Sequence, residues 1–125
     1  MVTFEQYLDA LRYALNHLYD PNIQRTSPLT GILGLSGGPH AGLVLQQALI
    51  EGIESLKVQA DAAPHSPLRR TYEILLFRYV QQWSQQEVAD QLGISPRHLR
   101  REQQAALETL AQRLCERHRV TLAPP

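Results

Sequence analysis

Residues 84–101 read S-Q-Q-E-V-A-D-Q-L-G-I-S-P-R-H-L-R-R, and the order of residue types in this stretch decides the fold. Ser84 and Glu87 have the spacing of a capping box, in which the serine oxygen takes the third residue's N–H and the glutamate takes the serine's own. The helix opened in this way turns Val88, Ala89 and Leu92 to one side. It stops at Gly93, the residue type that accepts a left-handed conformation after a helix. Ser95-Pro96 restarts the chain at once, with serine as N-cap and proline at the first helical position, where its missing N–H costs nothing. Two helices joined by a few residues around a glycine predict a helix-turn-helix. Ala89 is small where the helices would cross, Leu92 and Ile94 plug the angle, and Leu99 locks the second helix inward. Arg97, His98, Arg100 and Arg101 then face water at the start of that helix, over 96–104, where free N–H groups could also hold a phosphate.

The same logic extends outward. Leu68 to Gln82 is read as one helix with Tyr72, Leu75, Leu76, Tyr79 and Val80 on its buried face. Trp83 precedes the cap, so it is expected to staple onto Val88 or Ala89. Downstream, Leu99, Gln103, Ala106, Leu107, Leu110 and Leu114 continue one long helix. Upstream, Phe4, Leu8, Leu11, Leu15 and Leu18 recur at helical spacing, with Thr3 as cap and Asp20-Pro21 as the stop. A short helix is expected within 28–34, a glycine-rich loop from Leu35 to His40, and a helix from Ala41 to about Gln59 carrying Leu45, Leu49, Ile53 and Leu56. Ser27-Pro28 and Ser66-Pro67 repeat the serine–proline start. No alternating strand pattern and no internal repeat is present, so the fold class is all-α. The expected division is a helical N-terminal region (1–60) for dimerisation or partner binding, a linker (61–67), a helix-turn-helix region (68–120) and a flexible tail (121–125).

A chain of 125 residues with twelve basic and twelve acidic side chains has no global field toward nucleic acid or membrane. Residues 1–67 are nevertheless net −3 and residues 68–125 net +3, so a polyanion contact belongs to the second half. Eleven of the basic residues are arginines, whose rigid fork suits phosphate and guanine edges. The lone Cys115 excludes an internal disulfide framework and fits a reducing compartment, with packing as its ordinary role. No basic segment leads into an apolar run at the start and no long apolar stretch follows. Neither a secretory leader nor a membrane span is therefore expected, and the location read is cytoplasmic.

From Leu75 through Leu110, including E-V-A-D-Q-L-G-I-S-P-R-H-L-R-R and the later A-L-E-T-L, the chain resembles region four of bacterial sigma factors. It is also similar to the helix-turn-helix of response-regulator-type transcription factors. Glu87, Ala89, Leu92, Gly93, Ile94 and Ser95 match that pattern in order, and Ala106-Leu107 matches the pair that packs the second helix back. The resemblance implies a sequence-specific regulator on double-stranded DNA, with Ser95, Arg97, His98, Arg100 and Arg101 as the binding set. A homodimer, a larger regulatory protein or RNA polymerase would be its partner. The sequence departs from the family at Glu102, where an apolar residue is usual, and at Pro96, which removes one phosphate-binding N–H.

Other motifs carry less. Gly34-Leu-Ser36-Gly-Gly38 fits G-x-S-x-G, but no strand pattern precedes it, and no Lys-Ser/Thr pair follows to make a phosphate loop. His17, His40, His65, His98 and His118 are too scattered to frame a zinc site. No enzyme activity, cofactor or metal is expected. Tyr7 and Tyr13 suit an interface or a core edge, and Asp9, Asp20, Glu51 and Glu54 would keep the first half away from phosphates. The alternative function is a non-enzymatic helical adaptor that turns a degenerate helix-turn-helix toward a protein. It would be favoured if Arg97, Arg100 and Arg101 were paired with acids such as Glu102 or Glu108.

Overall fold

Each stretch with sustained three-and-four apolar spacing is helical. The computed structural model describes residues 1–35, 38–63 and 65–124; Ser36 and Gly37 of the G-x-S-x-G stretch, Pro64 of the expected linker and Pro125 of the tail lie outside the described residues. In chain order the helices are α1 (Phe4–Asn16), α2 (Pro21–Thr26), α3 (Leu29–Ile32), α4 (Ala41–Ala62), α5 (Leu68–Leu75), α6 (Gln85–Leu92) and α7 (Pro96–His118). A π-helical turn, Leu76–Val80, follows α5 directly. There is no strand among the described residues, and the fold is all-α. Two compact units form: Met1–Gly52 with Ala111–Pro125, and Ile53–Leu110. The boundaries of these two units fall within α4 and α7.

In the first unit, Thr3 and Gln6 form a capping box, with Oγ1 accepting from Gln6 N at 3.1 Å and Oε1 accepting from Thr3 N at 3.0 Å. Leu8, Leu11, Leu15 and Leu18 are buried as expected, whereas Phe4 is exposed and sets its ring edge-on to Tyr7. Asp20-Pro21 is a start, not only a stop. Asp20 Oδ1 accepts from Asn22 N and Ile23 N at 3.0 and 3.2 Å, and Pro21 occupies the first helical position of α2. Gln24 on α2 then donates to Ala14 O and His17 O at 2.7 and 2.8 Å, a second donor for each of two carbonyls at the end of α1 that also accept from His17 N and Asp20 N. Gly42 lets α4 approach α2, since a Cβ there would lie 3.1 Å from Pro21 O. Tyr7 belongs wholly to the core, its hydroxyl donating to Ala111 O at 2.6 Å. Tyr13 is exposed beside His17.

In the second unit, Tyr72, Leu75 and Tyr79 are buried as the helical stripe requires. The π-helical turn closes an i→i−5 bond, Gln81 N to Leu76 O at 2.8 Å, and its extra residue moves the stripe out of phase. Leu76 and Val80, expected inward, are half-buried, and Ile74, in α5 before the turn, is buried as well. Trp83, half-buried just before the cap, has an aromatic partner that its position does not suggest. Its ring stacks on Phe77 with centroids 4.5 Å apart and planes 7° apart. The capping box of α6 forms as read, with Ser84 Oγ accepting from Glu87 N at 3.1 Å and Glu87 Oε1 accepting from Ser84 N at 3.4 Å. Ser84→Ala is expected to lower the stability of this unit by about 1 kcal/mol. Chemical denaturation followed by Trp83 fluorescence measures it.

Candidate nucleic-acid interface

The angle between α6 and α7 is made by backbone conformation. Gly93 adopts φ 70° and ψ 33°, and Ile94 N donates to Ala89 O at 3.0 Å while Gly93 N donates to Asp90 O at 3.3 Å. This pair of bonds is the Schellman closure of a helix end. A Cβ at Gly93 would meet nothing within 4 Å, so the requirement for glycine is conformational and not one of space. Val88, Ala89 and Leu99 are each at 0% exposure, which fixes the inner faces of both helices. Ser95 Oγ accepts from His98 N at 3.1 Å and so caps α7. Ser27 and Ser66 work differently: each hydroxyl accepts from the N–H two residues on, and the helix begins after the proline.

With Leu99 inward, Ser95, Arg97, His98, Arg100 and Arg101 are all exposed. The basic groups around them fall into two sets. Arg69 pairs with Asp61 at 3.2 Å, and Arg70 pairs with Glu102 at 3.0 Å. His98 Nε2 lies 3.5 Å from the other oxygen of Glu102. Arg78 is held inside the unit, donating to Trp83 O at 2.6 Å and to Gln103 Oε1 at 3.3 Å, while Gln103 donates on to the Tyr79 hydroxyl at 2.9 Å. Arg97, Arg100 and Arg101 form the second set, with no acidic partner within 4.0 Å among the described residues. Residues 53–110 carry seven basic and seven acidic side chains, so the positive character is local to these three guanidiniums.

The helix end itself offers less than the sequence suggested. Pro96 has no N–H and the N–H of His98 is taken by Ser95, which leaves that of Arg97 to meet an anion. An open concavity of about 560 Å³ lies along this face, bordered by Ser95, Arg97, His98, Arg101, Glu102 and Ala105. Glu102 explains its departure from the apolar residue usual in the pattern: it stays half-exposed and anchors Arg70 and His98. Sequence reading missed these roles for Arg70 and Glu102, because residues 32 apart share no local pattern. It also passed over exposed Gln104, whose amide donates to Glu108 at 3.3 Å.

Elsewhere the chemistry is that of packing. Among the described residues no three His, Cys, Asp or Glu side chains are grouped to hold a metal ion. Cys115 is half-buried, and burial pushes its thiol up from the ordinary value, away from the reactive thiolate. Burial, with a contribution from Cys115, likewise raises the Tyr7 phenol. No helix among the described residues is long and apolar enough to cross a membrane. No curated protein and no solved structure matches the chain. Residues 69–112 match the family model described as Sigma-70, region 4, so the segment from α5 into α7 is similar to the DNA-binding helix-turn-helix of that family.

Proposed function

We propose that this protein is a sequence-specific regulator of transcription on double-stranded DNA, non-enzymatic and cytoplasmic, which lays α7 over 96–104 in the major groove. Ser95, Arg97, His98, Arg100 and Arg101 make the contacts. The observation that carries this reading is the set of three exposed guanidiniums, without acidic partners among the described residues, at the start of the second helix of the motif. Arg69 and Arg70, at the start of α5, are both paired, which leaves the three guanidiniums of α7 as the unpaired arginines of the unit Ile53–Leu110 among the described residues. An adaptor binding protein through this face would leave those charges to be matched by its partner. It has no internal pairing with Glu102 or Glu108 in its favour, since Glu102 serves Arg70 and His98, and Glu108 accepts from Gln104.

One such module neutralises few phosphates and spans about half a site, so tight binding requires a second DNA-bound copy or a DNA-bound partner such as RNA polymerase. The test is a mobility-shift titration of the purified chain on duplex fragments from its own gene's upstream region at low salt. Binding that weakens steeply as salt rises is expected. Failure to shift any duplex overturns the reading.

A further inference from the structure

Helical geometry divides the exposed residues of α7 into a centre and two flanks. At about 100° per residue, Arg97, Arg101 and Gln104 fall within an arc of roughly 60°. Arg100 lies about 60° to one side of Arg97 and His98 about 100° to the other. The buried residues agree with this frame, because Leu99, Ala106 and Leu110 occupy the opposite side. The centre line is therefore two guanidiniums followed by a carboxamide, all exposed. Ala105, beside that line, is exposed and small, so it leaves room for a base edge to come close to the helix.

We infer that Gln104 is a further specificity-determining residue, reading an adenine in the major groove beyond the base pairs faced by Arg97 and Arg101, while Arg100 and His98 meet the phosphates on either side. The inference rests on the DNA-binding reading of this face. A glutamine amide offers one donor and one acceptor in a plane, the pattern that matches N6 and N7 of adenine, as the arginine fork matches O6 and N7 of guanine. From Arg97 to Gln104 the helix rises about 10.5 Å, close to three base steps, so one short block of sequence is read along the line. Glu108 lies one turn further on the same side and is exposed. Its carboxylate is repelled by the phosphates lining the groove and sets the far end of the reading line. The bond from Gln104 to Glu108 lies on the surface, so a base edge replaces it without stranding a buried group.

The experiment is selection of bound duplexes from a randomised pool by the 125-residue chain, repeated with Q104A and Q104K. Q104A is expected to lose a preference for adenine at one position by about 5- to 150-fold, leaving other positions and the salt dependence as they were. Q104K is expected to move that same position toward guanine. If both variants bind and return the parent's preference at every position, the role of Gln104 is overturned while the DNA-binding reading stands. If the parent binds duplex without selecting any motif, base reading by this line is overturned. If the parent binds no duplex, the proposed function itself fails, and this inference with it.

Discussion

Replacing Arg97, Arg100 and Arg101 together with alanine is expected to weaken duplex binding by about a thousandfold or more. Each charge-assisted hydrogen bond contributes about 1.5–3 kcal/mol, and every 1.4 kcal/mol is tenfold in affinity. The dependence of log K on log salt should become shallower by about one for each phosphate that is no longer neutralised. The fold should not notice the change, because all three side chains are exposed and none has an acidic partner among the described residues. Substitutions of that kind usually fall within about 0.5 kcal/mol. Arg69→Ala is the control from outside α7: it removes one guanidinium of the same kind, but from an exposed pair with Asp61. That variant should cost little in either affinity or stability. Fluorescence anisotropy titrations at several salt concentrations measure the affinities and their salt slopes, and chemical denaturation measures the stabilities. A triple variant that binds like the parent would show that the face is not the one DNA meets.

What can be read from sequence at this site, and what cannot, follows from the range of the interactions. The capping box at Ser84 and Glu87, the left-handed Gly93 and the inward Leu99 are settled within a few residues by rules of backbone geometry, and all three stand as read. The π-helical turn at Leu76–Val80 escapes such rules, because a periodicity search assumes 3.6 residues per turn and cannot register one extra residue. Leu76 and Val80 are half-buried there, and Phe77 within the turn stacks on Trp83, a partner that no local rule names. Asp20-Pro21 carries two meanings, the end of one helix and the cap and first residue of the next, and the apolar stripe reveals only the first. The binding set is legible as residue types, but its sorting is not. Which arginines are paired depends on Asp61 and Glu102, and the Arg70–Glu102 pair joins α5 to α7 across a separation that no motif spans.

Leu99→Ala tests the other half of the arrangement, and its effect should be largest on stability. Leu99 is fully buried, so truncation removes transfer energy and leaves a cavity, together about 2–5 kcal/mol. Leu99→Met nearly conserves volume and should cost less than about 1.5 kcal/mol. The chain's one tryptophan, Trp83, lies with Leu99 in the unit Ile53–Leu110 and stacks on Phe77 there, so its fluorescence follows the unfolding of that unit. DNA affinity supplies the second readout. The arginine variant loses binding without losing stability. The Leu99 variant should lose both, and its binding deficit should shrink in stabilising osmolyte, which favours the compact state. A cost below about 1 kcal/mol would place Leu99 outside the class of well-packed core leucines. The direction of Arg97, Arg100 and Arg101 would then be set by the Gly93 turn and the Ser95 cap, without a leucine anchor.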